Sequence, residues 1–334
     1  MNIRLIFAIV LIFGAVAAIL YGLKLLGDGM EKLVASGADG LMRKAAKRPA
    51  GAYFSGLLIA GITQSSTATS MTAVSMVSAG ACTLSSAAAL IMGANVGTTV
   101  TAQIFAITGG GAGRSVIGAA FLFFGVCASL FKTEKARFAG DASFGLGLVL
   151  CGLDAVGGNI QPLIDAPPLR YVLKCDNPIL CFLIGVILTA VFQSSSAVTG
   201  ILVLLCERGD TSFYNAVFVI LGSNIGSCFS VAFASRKKSP QAKATAFFNL
   251  AFNALGALFV MPFPLFFKDA FLSLFSYSAQ KAGKAAADFH TLFNVVSSVA
   301  FIPILKPFTN AVSRAFCDKK LKNNKIYAKI ARYR

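Results

Sequence analysis

Two stretches of the chain, GITQSSTATS (61–70) and AVFQSSSAVT (190–199), set glutamine and hydroxyl side chains in the middle of apolar sequence. Gln-Ser-Ser is poor helix-interior sequence, because serine and threonine hydrogen-bond to nearby backbone and compete with the helix. If the chain unwinds there, the helix that follows starts with free N–H groups and the positive end of its dipole, and the hydroxyls beside it add donors. That is the chemistry of an anion site. GANVG (93–97) and GSNIG (222–226) follow the two stretches. Freed carbonyls, the amide oxygens of Gln64 and Gln193, and Asn95 and Asn224 are hard oxygen donors of the kind sodium takes. Behind each of these motifs polar residues recur three apart, Thr98 and Thr101, then Ser227 and Ser230, which places each pair on one helix face. No Lys or Arg lies immediately around the motifs. The charge of an anion is therefore expected to be met by dipoles, hydroxyls and co-bound cations.

The elements that must position these residues are membrane helices. The chain is 56% hydrophobic and only 13% charged, where a soluble domain runs near about 25% charged, and apolar runs of membrane length recur throughout. Strand-period alternation is absent, which argues against a barrel. The net charge of +17 falls between apolar runs and in the segment Arg314 to Arg334. This pattern suits cytoplasmic loops beside anionic lipid rather than a nucleic-acid surface. The eight cysteines form no CxxC pair, and most read as small apolar residues within helices. Cys175, Cys181 and Cys206 would have to share the outer side to pair. The N-terminus has one basic residue, Arg4, ahead of its apolar run and reads as an uncleaved first helix.

Sliding the sequence by 129 residues lays the two Gln-Ser-Ser stretches over one another and, with no gap, GANVG over GSNIG. Pro49 then falls on Pro178, Gly56 on Gly185 and Gly80 on Gly209. Of the 50 positions from 49 to 98, 13 are identical, against roughly four from composition alone. Upstream, YGLKLLG (21–27) matches CGLDAVG (151–157) with one further residue of shift, so Lys24 and Asp154 hold matching places. The expected organisation is a first membrane repeat at 1–137, a second at 138–308 and a basic cytoplasmic tail at 309–334. Each repeat reads as a helix, an amphipathic linker, a Pro-initiated segment broken at Gln-Ser-Ser, a helix broken at GxNxG, and further helix. The linker 24–48 is rich in Lys and Arg, whereas its counterpart 157–177 carries only Arg170 and Lys174. Equivalent loops are thus expected on opposite sides. Crossings at 4–26, 84–108, 114–131, 139–156, 213–234, 244–266 and 285–308 leave the Gln-Ser-Ser segments as re-entrant hairpins. They place the N-terminus outside and the C-terminus in the cytoplasm. Three crossings in the first half invert its copy. The expected fold is therefore all-α, a polytopic membrane protein of two inverted-topology repeats with re-entrant helical hairpins and broken helices, the plan of secondary transporters.

These paired motifs resemble the sodium/phosphate cotransporter family, type II, including its shorter bacterial members. The matching text is QSSTATS and QSSSAVT, GANVGTT and GSNIGSC, and FHTLFN (289–294), with KATAFFNLAFN (243–253) a weaker copy of the last. The match covers about residues 5 to 308. The resemblance implies symport of sodium with inorganic phosphate by alternating access in a bacterial inner membrane, with no organic cofactor. Phosphate would be lined by Gln64, Ser65, Ser66, Thr67, Gln193, Ser194, Ser195 and Ser196. Sodium would have Gln64, Asn95, Thr98, Thr101, Ser223, Asn224, Ser227 and Ser230 to draw on. Thr67 stands where the family has a third serine and keeps the hydroxyl. Cys228 stands where the family has a second threonine and weakens one oxygen ligand. Many bacterial relatives continue into a soluble regulatory domain; here a basic segment of about twenty residues, eight of them Lys or Arg, stands in its place. Membrane lipid is the expected surrounding, nucleic acid is not a partner, and a homodimer is left open.

An enzyme would make Ser65 or Ser194 a nucleophile, but it would need a base, and the single histidine, His290, is distant in sequence and unduplicated. His290 reads as a polar packing group at a helix start or as a gate. A channel would need a continuous pore, and the inverted repeat is better explained by alternating access. A transporter of another small anion, such as sulfate, arsenate or a carboxylate, coupled to sodium or protons, uses the same elements. Asp154 and Lys24 read as either interfacial or close to the core.

Overall fold

In the computed structural model the described residues are 3–45, 48–109, 112–166, 177–275 and 281–318, and all regular structure among them is helical. Lys47, Arg170, Lys174, Cys175 and the tail beyond residue 318 lie outside them. The first half runs α1 (Ile3–Ala45), α2 (Pro49–Thr63), α3 (Ser66–Ser78), α4 (Leu84–Gly97), α5 (Val100–Ile107) and α6 (Ala112–Ser129). The second runs α7 (Glu134–Asn159), α8 (Gln161–Ile164), α9 (Pro178–Phe192), α10 (Ser195–Glu207), α11 (Phe213–Ser235), α12 (Pro240–Val260), α13 (Pro262–Phe266), α14 (Lys268–Leu274), α15 (Ala282–Phe301) and α16 (Leu305–Ser313).

Local sequence explains why the elements start and stop where they do. Pro49 and Pro178 occupy the first turns of α2 and α9, where a missing N–H costs nothing and the fixed φ suits a helix. The turns from α3 to α4 and from α10 to α11 pass through Gly80 (φ 69°) and Gly209 (φ 74°), a conformation that glycine adopts without strain. Thr83 and Ser212 then cap α4 and α11 by accepting the amides of Ser86 and Asn215. Every one of these pairs is separated by the same 129 residues.

Among the described residues six stretches are long and apolar enough to cross a membrane: Ile3–Val34, Leu84–Ile107, Glu134–Asn159, Phe213–Ser235, Pro240–Phe266 and Ala282–Phe316. These answer to six of the seven crossings expected. The seventh, 114–131, falls on α6, whose apolar stretch Gly113–Ser129 is one residue short of that length. The arms α2 and α3, of 15 and 13 residues, are about 22 and 20 Å long. Neither crosses a hydrocarbon core of about 30 Å alone.

Two expectations change. The linker at 24–48 is no separate element: α1 runs unbroken through its first turns to Ala45. The GxNxG motifs do not unwind their helices either. The second lies inside the continuous α11, and after the first only Thr98 and Thr99 separate α4 from α5, both still with right-handed helical dihedrals. Their glycines serve packing. A methyl on Gly56 would run into the Leu90 carbonyl and one on Gly93 into the Tyr53 carbonyl; on Gly185 and Gly222 it would strike those of Val219 and Phe182. Within the bilayer, stripes of small residues let helix backbones touch and gain van der Waals contact. Here they press α2 onto α4 and α9 onto α11.

The halves interlock. Val74 of α3 packs with Val231, Ala242 and Ala246 of α11 and α12. In turn Gly200 of α10 lies against the ring of Phe105 in α5. The main buried cluster draws on α1, α5, α7, α10, α11 and α15.

Candidate anion and cation site

The two Gln-Ser-Ser stretches break their helices in the same way. Gln64 (φ 56°, ψ 25°) and Gln193 (φ 55°, ψ 24°) are left-handed, and among the described residues they are the only positive-φ positions that are not glycine. A β-carbon makes that conformation costly, by roughly 1–2 kcal/mol, so its appearance twice marks a retained feature. The next residues, Ser65 and Ser194, turn extended and cap the helices that follow: Ser65 Oγ accepts the Ala68 amide at 3.1 Å and Ser194 Oγ the Ala197 amide at 3.2 Å. A capping hydroxyl still holds its own proton and can donate it outward. The first-turn amides of Ser66, Thr67, Ser195 and Ser196 have no intrahelical acceptor by the geometry of a helix start.

Both breaks open onto one cavity of about 280 Å³. Its wall carries Thr63, Gln64, Ser65 and Ala68 from the first break, with Phe192, Gln193 and Ser194 from the second. Four of the eight expected phosphate residues (Gln64, Ser65, Gln193 and Ser194) therefore line a shared space. Ser66 and Ser196 are buried behind them, and Thr67 and Ser195 are half-buried outside the wall.

The wall also holds groups that the motifs did not point to. Leu20, Leu23, Lys24, Gly27, Asp28 and Glu31 of α1 complete it, at the spacing of a single helix face. Charged side chains thus stand beside the breaks, correcting the expectation that dipoles and bound cations alone meet an anion. The spacing of 24, 27, 28 and 31 was readable; what α1 packs against was not.

The expected sodium ligands fall into one group in each half. In the first half the Thr98 hydroxyl donates to the carbonyls of Ala94 and Asn95, both at 3.1 Å, and the Thr101 hydroxyl donates to Gln64 Oε1. In the second half the Ser227 hydroxyl donates to the Asn224 carbonyl at 2.7 Å. Asn95, Thr98, Ser223, Asn224 and Ser227 are all buried, and Asn95 Nδ2 and Ser223 Oγ are without partners among the described residues. Ser230 is half-buried, and no hydrogen bond joins it to Gln193 there. The carbonyls near Asn95 and Asn224 stay in helical backbone, because neither motif unwinds. Side-chain oxygens, the Gln64–Thr101 contact and the carbonyls at the ends of α2 and α9 are what remains for a cation.

Three further residues find their places. His290 is buried in the middle of α15, not at a helix start. Asp154 turns away from the cavity to Ser115 and to Arg114, 3.8 Å off. Arg114 is fully buried, bound to Glu207 at 2.6 Å and to the Phe105 carbonyl at 3.2 Å. It ties α6 and α7 to the far end of α10. In sequence it read only as the edge of an apolar run. Cys181 and Cys206 are both buried.

Membrane-length helices around two interrupted helix pairs that share a polar cavity define an all-α polytopic membrane protein. The family profile for the Na+/Pi-cotransporter matches residues 18–158 and 167–297, one stretch in each half, and the chain belongs to that family. Membership in a family of transporters sets aside the serine-nucleophile reading. The chain is 30% identical over 292 residues to the uncharacterized protein YqeW of Bacillus subtilis (strain 168), covering 86% of this chain and 92% of that protein. It is 25% identical over 299 residues to a protein of Escherichia coli (strain K12) named "Putative inorganic phosphate export protein YjbB", covering 89% of this chain and 53% of that one. The like-named Salmonella typhimurium protein is 24% identical over 317 residues, 93% and 55% of the two chains. The chain thus spans about half the length of these export-named relatives. No solved structure matches it significantly.

Proposed function

We propose that the protein moves inorganic phosphate across the bacterial inner membrane, coupled to sodium, by alternating access about the shared cavity. The observation that carries this reading is the single cavity of about 280 Å³ walled by both Gln-Ser breaks. Two helix starts, each with a capped serine and free amides, face one aqueous space and offer an oxyanion a ready set of donors. Gln64, Ser65, Gln193 and Ser194 contact phosphate directly, and the buried Ser66 and Ser196 with Thr67 and Ser195 support the turns. Sodium draws on Gln64 and Thr101, which already touch, and on the Asn95–Thr98 and Asn224–Ser227 clusters. The two halves act as oppositely inserted repeats, with the N-terminus outside and the C-terminus in the cytoplasm. Rocking one against the other exposes the cavity to each side in turn.

The test is radiolabelled phosphate flux in proteoliposomes, measured inward and outward, with a sodium gradient and with the same gradient of N-methylglucamine. The reading expects saturable phosphate flux that follows the sodium gradient. Flux of equal size in N-methylglucamine would remove sodium coupling, and no phosphate flux with sulfate flux intact would change the substrate.

A further inference from the structure

We infer that Lys24 is a phosphate-binding residue, the fixed positive charge of the cavity. The inference rests on the function proposed above and adds to it a group that neither Gln-Ser-Ser motif contains.

Lys24 stands on α1 just past its apolar run, at the start of a polar part that also carries Asp28 and Glu31. Its side chain is exposed and lines the cavity. Gly27, one turn along, brings the α1 backbone so close to the first break that an added β-carbon would stand 2.7 Å from the Thr63 carbonyl. Thr63 is the residue immediately before the left-handed Gln64. This close approach holds the face of Leu20, Leu23, Lys24, Gly27, Asp28 and Glu31 against the cavity that both serine caps line.

The lysine is also uncommitted. Among the described residues its ammonium takes part in no ion pair, although Asp28 follows it by one turn. The matching residue of the second half, Asp154, is engaged by Arg114 and Ser115. Fixed positive charge therefore enters the wall from one half only. The charged groups in that wall are Lys24, Asp28 and Glu31. The two carboxylates oppose an anion, and Lys24 with the two helix starts attracts it. Removing Lys24 and removing a carboxylate must then act on phosphate with opposite signs.

The test compares wild type with Lys24→Gln, Lys24→Arg and Glu31→Gln, by phosphate uptake in proteoliposomes at saturating sodium and by thermal stability in detergent. Loss of a charged hydrogen bond predicts an apparent phosphate KM raised about 10-fold or more in Lys24→Gln. Lys24→Arg should stay within about threefold, and the sodium half-activation concentration in Lys24→Gln within about twofold, because the charge is kept or lost only for the anion. Glu31→Gln should lower the phosphate KM. An unchanged KM in Lys24→Gln overturns the assignment and leaves the proposed function standing. Arginine failing with glutamine, together with a fall in thermal stability, makes Lys24 a structural residue and also overturns it. Wild-type protein that moves no phosphate overturns both readings.

Discussion

The break at Gln64 and the break at Gln193 have the same backbone and different surroundings. Their dihedral angles agree within about a degree, and the serine caps behind them agree within 0.1 Å. Yet the Gln64 side chain is tied to the Gly61 carbonyl and to the Thr101 hydroxyl, while Gln193 is exposed and its side chain has no hydrogen bond among the described residues. Upstream the contrast sharpens: Lys24 faces the cavity, whereas Asp154 is turned to Arg114. Duplication has kept what the chain needs in order to unwind and start a helix. The side chains around the two breaks have been free to diverge, giving one locked glutamine and one loose one.

The largest expected effects should be equal in the two halves. Gly93→Ala and Gly222→Ala each drive a methyl into a backbone carbonyl that cannot move independently. Each should lower stability by about 3 kcal/mol or more, read as loss of monodisperse protein on gel filtration. A large difference between the two would break the equivalence of the packed pairs.

Next come the matched charges, where the halves should differ. Arg114→Ala leaves Glu207 without its partner and should cost about 3–5 kcal/mol. Asp154→Asn, which keeps the shape and the Ser115 contact, should cost about 1 kcal/mol. Lys24→Gln should be silent in thermal stability to within about 0.5 kcal/mol, since that side chain is exposed and in no ion pair among the described residues. Equal costs at 24 and 154 would show that both positions are structural.

The smallest effects separate the glutamines. Gln64→Ala forfeits two hydrogen bonds and should cost about 1–2 kcal/mol more than Gln193→Ala. Gln193→Gly relieves a left-handed conformation and should raise stability by about 0.5–1 kcal/mol, a gain offset at Gln64 by its lost contacts. Thermal unfolding of the four variants in one detergent reads this directly.

The sequence carried the break points because their chemistry is local: Gln-Ser-Ser, Pro49, Pro178, Gly80 and Gly209 each act within a turn or two of themselves. It misled at GSNIG, where Gly222 and Gly226 read as helix breakers and are contact points for α9. A glycine that frees a backbone and one that lets a neighbour approach look alike until the neighbour is known. Lys24 and Arg114 were hidden for the same reason. A charge at the edge of an apolar run announces that it needs a partner, but Glu207 lies 93 positions beyond Arg114, and the Gln64 cavity reaches Lys24 only through the packing of α1. The continuity of α1 past residue 26 was masked by its charges, which suggested a linker although the helix simply continues.

The claim on which the rest depends is that two helix starts from two halves hold one anion. Equilibrium binding of radiolabelled phosphate to the purified protein, wild type beside Ser65→Ala and Ser194→Ala, addresses it most directly. One phosphate per chain, weakened about 10-fold or more by either substitution, is the predicted result. Two phosphates per chain, each lost with only one of the serines, or binding indifferent to both, would contradict it.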